Sequence, residues 1–349
     1  MKAKNQHIVF LTPGFARSEN DSTVIPALQV YLKSIKQALP NSKMTLLSFQ
    51  FPFTKKPYKW NGISVIPLHG KNKRIYKLWT WKKALRKLKT MHHHHPITTI
   101  HSFWIGECAM IGTKFSTKYN IQHIVTAMGQ DASLGNSYAK RLQNTNATLV
   151  SLSKNHQELI TKNYQLKSKC IPWDIDTSSF PELQENTIDI LGVGSINRVK
   201  NYTSFIKIIS KLTQEFPNLK VSIIGEGEER NKINKQIKEA ALENTISLLG
   251  ELPRAEVLQK MAQAKLFLHT SSYESFGFVF SEALYSGMQI VSNNVGIATA
   301  MAEWEICTTE TEIITACSTR IRNTKNKKKR VLLNAKNACV SSYLDLYHE

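Results

Sequence analysis

Two glutamates eight residues apart, Glu274 and Glu282, flank a glycine in Ser272-Tyr273-Glu274-Ser275-Phe276-Gly277-Phe278-Val279-Phe280-Ser281-Glu282-Ala283. At a helical rise, eight residues cover about 12 Å, the reach from a sugar across a diphosphate to a ribose. Carboxylates bind hydroxyls well. The amides of Gly277, Phe278 and Val279, at the positive end of a helix, can hold the diphosphate between them. Glu282 lies inside the apolar run 278–284, which argues against two merely solvated charges.

A second set of candidates follows an earlier apolar strand. Gly192-Val193-Gly194-Ser195 leads through Arg198-Val199-Lys200 into a helical segment. Glycines there let backbone N–H groups approach a phosphate, and Lys200 supplies charge. A Gly-x-Gly after a strand is also an ordinary tight turn. Gly225-Glu226-Gly227 repeats the signal more weakly.

Other residue types point away from chemistry. Five cysteines (Cys108, Cys170, Cys307, Cys317, Cys339) are scattered and lack Cys-x-x-Cys spacing, which fits small buried hydrophobes in a reducing cytoplasm. The run His92–His95 precedes Pro96 and reads as an exposed turn rather than a metal site.

Charge is unevenly spread. The first 100 residues hold 15 Lys and 3 Arg against Glu19 and Asp21, a balance of +16 out of +20 for all 349 residues. A field this one-sided attracts nucleic acid, anionic headgroups or anionic glycans. Residues 71–89 interleave Lys and Arg with Ile75, Tyr76, Leu78, Trp79, Trp81, Leu85 and Leu88. As a helix this is either a membrane-surface segment or a surface helix packed on its own domain; both show the same stripe. No apolar run approaches the roughly 18 residues needed to span a bilayer. The apolar core near the N-terminus, 8–11, ends at Pro13-Gly14 and reads as a buried strand, too short for a signal peptide.

These residues need strands to present them. Apolar strands at 7–11, 44–49, 97–102, 123–126 and 147–152, with helical periodicity at 23–39 and 155–164, imply an α/β first half. The second half repeats the pattern: strands at 189–192, 220–224, 245–249, 266–270 and 289–293, with helices at 202–216, 229–242, 254–264 and 278–287. Ligands in open parallel sheets sit beyond the carboxyl ends of the strands, where both sets of candidates lie. The expected fold is two Rossmann-like doubly wound domains, 1–170 and 171–328. A last helix over 329–349 follows the basic stretch 320–329 and is able to cross back to the first domain.

Residues 190–296 resemble the donor domain of family 4 glycosyltransferases, retaining enzymes of the two-domain GT-B fold, whose halves face across a cleft. The resemblance rests on Gly194 to Asn201 as Gly-x-x-x-x-x-Lys-Asn, Ile224-Gly225-Glu226-Gly227, Ile246 through Leu249 to Gly250, the Glu-x7-Glu element, and Gly287-Met288-Gln289-Ile290-Val291. In the first half it is looser: Pro13-Gly14 for the glycine loop, Ile100-His101-Ser102-Phe103-Trp104, and Thr126-Ala127-Met128-Gly129-Gln130-Asp131.

The resemblance implies a hexosyltransferase-type enzyme, independent of metal, that moves a sugar with retention from a nucleotide-diphosphate sugar to a glycan or lipid-linked hydroxyl. The setting would be cell-surface polysaccharide or glycolipid synthesis. It casts Glu274 as the donor-sugar contact, Lys200 as the neutraliser of the departing diphosphate, and Glu282 as the ribose contact. Gly14, Gly194, Ser195, Arg198, Gly225, Gly227, Leu249, Gly277, Phe278 and Val279 would complete the donor pocket. His101 would be either a donor-sugar contact or a structural histidine at a strand end. Ser195 replaces the family's arginine, which shifts charge compensation to Lys200, assisted by Arg198. No cofactor or metal is expected. The implied location is cytoplasmic, free or peripheral on the inner face of the membrane. Two other classes stay open at this point: a basic nucleic-acid-binding protein, which lacks any recognisable RNA or DNA module, and a GT-B sugar-nucleotide epimerase.

Overall fold

The computed structural model describes residues 6–54, 56–323, 327–335 and 337–348. The chain folds as two compact units, Met1–Asp174 with Asn337–Glu349, and Ile175–Lys336.

The first unit contains strands β1 (His7–Gly14), β2 (Lys43–Phe51), β3 (Tyr58–Trp60), β4 (Ile63–Pro67), β5 (Thr99–Phe103), β6 (Gln122–Thr126), β7 (Thr148–Ser151) and β8 (Lys169–Cys170). They form one sheet in the order β3-β4-β2-β1-β5-β6-β7-β8, parallel except for the β3–β4 hairpin. Helices α1 (Pro26–Ala38), α2 (Lys77–His94), α3 (Glu107–Tyr119), α4 (Ser137–Leu142) and α5 (Lys154–Tyr164) connect them. Burial on both faces explains why β1 reads as a continuous apolar run. Val9 and Leu11 join a core with Leu47, Ile100, Ala84 and Ile111, while Phe10 lies 6.0 Å from the His101 ring on alternate positions. The hairpin turns at Asn61 (φ 43°) and Gly62 (φ 78°), an Asn-Gly pair well suited to a tight two-residue turn.

The second unit holds β9 (Ile188–Val193), β10 (Val221–Ile224), β11 (Ile246–Gly250), β12 (Ala264–His269), β13 (Gln289–Asn293) and β14 (Trp304–Cys307) in an all-parallel sheet, order β11-β10-β9-β12-β13-β14. Its helices are α6 (Tyr202–Leu212), α7 (Arg230–Glu239), α8 (Arg254–Ala262), α9 (Phe278–Tyr285) and α10 (Glu310–Arg322). Ile190, Leu266 and Leu268 face one core with Phe205 and Ile209; Leu191 and Phe267 face the other with Phe280 and Met288. Each such buried side chain contributes about 1.5–3 kcal/mol. Because β9 bonds to β10 on one side and β12 on the other, all in parallel, the order of strand addition reverses between β9 and β12. Ligands of open α/β sheets bind at such a switch point, so the loops after β9 and β12 frame the expected site.

Several elements differ from the sequence reading. The last helix, α11 (Ala338–His348), begins nine residues later than periodicity suggests. Residues 327–331 instead run irregularly along the second unit: Lys328 Nζ donates to the Ala262 carbonyl at 2.5 Å and Val331 N to Leu284 at 3.2 Å. Residues 324–326 of the basic stretch lie outside the described residues. Residues 171–174 go with the first unit, because Trp173 stacks on Tyr31 at 4.9 Å and Asp174 accepts from Cys339 N at 3.0 Å. His92–His94 form the last turn of α2 and His95 caps it with extended backbone, so the run is not a separate turn. Periodicity gives no sign of the β3–β4 hairpin, α3, α4, β14 or α10.

Candidate functional site

Two loops knit together at the switch point of the second unit. After β12, Ser272 N donates to the Val199 carbonyl at 2.9 Å, and Thr270 Oγ1 lies 3.1 Å from the carbonyls of Lys200 and Asn201. Asn293 Nδ2, from the end of β13, holds the Thr270 and Ser271 carbonyls at 3.2 and 3.0 Å. This register fixes Lys200 beside Glu274, 74 residues later in the chain.

The Lys200 ammonium pairs with Glu274 Oε1. The same oxygen accepts from His269 Nε2 at 2.9 Å and Ser271 Oγ at 3.1 Å. Burial by itself would push the Glu274 carboxyl up, but the His269 bond and the Lys200 charge outweigh it and hold the group down at about 2. Burial keeps the His269 ring below the usual imidazole range, opposed by its bond to Glu274. A neutral ring beside an ionised carboxylate must donate from Nε2, because the carboxylate can only accept. Glu274 is therefore an acceptor for hydroxyls and too weak a base to remove their protons near neutral pH.

At the other end of the Glu-x7-Glu element, Glu282 pairs with Arg254. Arg254 is the first residue of α8, where the helix dipole disfavours a cation; the Glu282 carboxylate compensates. Its guanidinium carbon also lies 5.7 Å from the Phe278 ring centroid. Burial raises the Glu282 carboxyl while the Arg254 charge opposes the shift. Between the two carboxylates, Gly277 caps α9 with φ 77°, a conformation that L side chains rarely adopt. A Cβ there would also meet the Phe280 ring at 2.5 Å. The amides of Phe278 and Val279 have no intrahelical acceptor and can receive an anion, whereas Phe280 N is held by the Gly277 carbonyl at 2.8 Å.

The glycine loops divide into two kinds. Gly194 and Lys200 are neighbours, a Cβ on Gly194 falling 3.1 Å from Lys200 Cε. Gly225 and Gly227 instead pack against the first loop: a Cβ on Gly225 would sit 2.0 Å from the Gly194 carbonyl, and one on Gly227 2.3 Å from that of Ile196. Their requirement for glycine is explained by loop-on-loop packing. Leu249 is half-buried on β11, beside Gly250, whose carbonyl accepts from Gly225 N at 2.8 Å. Ser195 and Arg198 are exposed, and Arg198 makes no ion pair among the described residues.

The first unit brings its candidates elsewhere. Gly14 ends β1, facing Phe51, and a Cβ there would make only ordinary contacts. His101 is fully buried, with Nδ1 2.7 Å from Tyr347 Oη and Nε2 2.8 Å from Thr126 Oγ1. Tyr343 Oη bonds Thr126 at 2.9 Å and Tyr31 Oη bonds Tyr347 at 2.6 Å, so His101 fastens α11 to the sheet. Burial, with His123 nearby, drives its ring well below the usual imidazole range. With both nitrogens engaged and no exposure, His101 presents no free atom to a substrate.

Sequence reasoning missed His269, Ser271 and Arg254. His269 ends a strand five residues before Glu274 and Arg254 opens a helix against its dipole; these positions are visible in the sequence, but the partners that give them a role are not. Among the described residues, no group of three or more His, Cys, Asp or Glu side chains is arranged to hold a metal, and no helix is long and apolar enough to cross a membrane.

The sequence profile of the family described as glycosyl transferases group 1 matches residues 174–337. The chain is 31% identical over 107 residues to the 2-deoxystreptamine N-acetyl-D-glucosaminyltransferase of Niallia circulans, covering 31% of this chain and 28% of that protein. Across the first two curated relatives it spans 28% and 27% of their length. Sucrose-phosphate synthase from Thermosynechococcus elongatus superimposes with a TM-score of 0.75 at 14% identity, over 98% of this chain and 99% of that one. HepE of Anabaena, in complex with UDP-glucose, gives 0.68 at 16% identity, over 91% and 90%. These likenesses establish the GT-B fold, two α/β domains with parallel sheets.

Proposed function

Because residues 174–337 form a domain of the glycosyl transferases group 1 family, we propose that the whole chain is a retaining glycosyltransferase. It moves a hexose-type sugar from a nucleotide-diphosphate sugar to a hydroxyl of a glycan or lipid-linked acceptor, in cell-surface polysaccharide or glycolipid synthesis. The observation that carries this reading is the Lys200–Glu274–His269 cluster at the β9/β12 switch point, with the Arg254–Glu282 pair at the far end of the same element. The crystallised UDP-glucose complex of HepE and the N-acetyl-D-glucosaminyltransferase relative favour a nucleotide-sugar donor.

In this reading the diphosphate lies over the first amides of α9, near Lys200. The bond from the sugar C1 to the phosphate oxygen breaks, and its electron pair leaves with the diphosphate. The acceptor oxygen bonds to C1 from the same face, and its proton passes to the departing phosphate oxygen. Lys200 stabilises the charge growing on the diphosphate, with Arg198 within the same loop. Glu274, held ionised, accepts bonds from the sugar hydroxyls and favours the positive charge developing at C1. Glu282 accepts from the ribose, its carboxylate oriented by Arg254. Lysine and backbone amides supply the charge compensation, so no metal is required, and activity is expected to survive EDTA.

A thermal-stability screen of UDP-, GDP- and ADP-sugars, followed by assay of slow donor hydrolysis, tests the proposal. Stabilisation by one base series, with release of free sugar, is expected. Indifference to every nucleotide sugar would overturn it.

A further inference from the structure

On the first unit, α2 and the turn before it line a cavity of about 490 Å³. Its size falls within the usual range for a small-ligand site. Trp79, Lys82, Lys83 and Arg86 follow i, i+3, i+4, i+7 spacing, so they share one face of α2, and Lys71 and Tyr76 complete the wall. Among the described residues, no carboxylate lines the cavity. Glu107, the acid that α2 does touch, is engaged on another face by Lys77 at 3.5 Å and Trp81 Nε1 at 2.9 Å.

The rim is apolar and open. Ile75, Leu78 and Trp79 are 75%, 65% and 75% exposed at the start of α2. This decides between occupants of the same charge. A soluble polyanion would use the lysines and leave Ile75 and Leu78 in water, whereas a bilayer interface takes up both the charge and the aliphatic side chains. We propose that the cavity binds the phosphate of an anionic lipid headgroup, with Ile75, Leu78 and Trp79 entering the interface beside it.

The site also has a place in the unit's architecture. The backbone of Lys71 donates to the Gln50 carbonyl at 3.1 Å, and Asn72 N to Gln50 Oε1 at 3.0 Å. Gln50 Nε2 in turn reaches Glu107 at 3.4 Å. Gln50 and Glu107 both line a second cavity, of about 150 Å³, beyond the ends of β1 and β5 with Pro13 and Trp104. A docked bilayer therefore presents lipid-borne hydroxyls beside the switch point of this unit. That purpose rests on the glycosyltransferase reading; the docking itself does not.

The test is sedimentation of the full chain with vesicles of phosphatidylcholine alone or mixed equally with phosphatidylglycerol. Wild-type protein is expected to bind the mixed vesicles at least about tenfold more tightly, given the contribution of each basic residue near an anionic surface. The variant Lys82→Gln/Lys83→Gln/Arg86→Gln should lose about tenfold or more at low salt. The variant Ile75→Ser/Leu78→Ser/Trp79→Ser should lose vesicle binding while still binding heparin. All six side chains lie on the surface of α2 or its leading turn, and circular dichroism checks that the fold survives. Wild-type indifference to the mixed vesicles, or an apolar variant that binds them normally, overturns the proposal, as does wild-type protein that binds heparin but not the vesicles. Stabilisation by nucleotide sugar, measured in parallel, should be the same in all three proteins. Its absence would sink the enzymatic reading and leave the lipid site standing.

Discussion

Each unit places a buried histidine on a central strand, in the middle of β5 and at the end of β12, and the two have different neighbours. His101, on β5, is surrounded by hydroxyls: Tyr347, Thr126 and, at 3.4 Å, Tyr31. His269, on β12, donates to a carboxylate that also pairs with a lysine. Burial depresses both rings. A neutral ring among hydroxyls completes a packed interior, whereas a neutral ring holding one member of an ion pair keeps a charged group aimed and ionised. What separates a structural histidine from a chemical one is the charge of its partner, and that is invisible at the histidine's own position.

The largest test of this contrast is Glu274→Gln. Removing the charge while keeping the shape should leave the fold intact and lower turnover about 10²–10³-fold, the usual effect of losing one preorganised polar contact. Near-normal turnover in a sugar-transfer assay would remove Glu274 from the site. Lys200→Ala should weaken binding of the free nucleotide diphosphate by about 1.5–3 kcal/mol, since a charge-assisted bond to phosphate disappears. Unchanged affinity by calorimetry would place Lys200 outside the pocket.

Mild acid should act more strongly on the first unit, which buries four depressed histidines against the single His269 of the second. His7, His123 and His156 of the first unit are depressed to about 4, 3 and 4, chiefly by burial, and His101 moves the same way. Below the unfolded histidine value of about 6.5, only the unfolded chain takes up these protons, so stability falls as pH falls through that range. Glu274, lowered to about 2, contributes stability that is complete above its unfolded value of 4.5 and lost as pH falls from there towards 2. Hydrogen exchange at stepwise lower pH should thus show the first unit loosening before the Glu274 loop. The reverse order would break the contrast.

The smallest expected effect belongs to His101→Phe. It should cost about 1–3 kcal/mol of stability, because Tyr347 and Thr126 lose buried partners. Turnover per folded molecule should barely change. A kinetic loss as large as that of Glu274→Gln, in protein of normal stability, would return His101 to the substrate site.

What can be read from the chain alone follows the distance over which each feature is specified. The Glu-x7-Glu element, its glycine and the strand–helix alternation are local, so Glu274, Glu282 and Lys200 and the α/β class are visible directly. His269 and Arg254 gain their roles from strand order and from a helix brought alongside, which local pattern does not encode. His101 is open to two readings because the residues that enclose it, Tyr343 and Tyr347, lie far along the chain, Tyr347 by 246 positions. The β3–β4 hairpin has its Asn61-Gly62 signal but very short strands, three and five residues. The late start of α11 reflects hydrogen bonds of Lys328 and Val331 to the second unit, which override a helical periodicity over 329–337.

The central claim is that the Lys200–Glu274 cluster, and not the His101 cluster, meets the donor. Hydrogen exchange of the full chain with and without a stabilising nucleotide-diphosphate sugar tests it most directly. The prediction is slowed exchange in residues 193–201 and 271–279, lost in Lys200→Ala and retained in His101→Phe. Protection that leaves both loops untouched while the nucleotide sugar binds, or that depends on His101 and not Lys200, would contradict it.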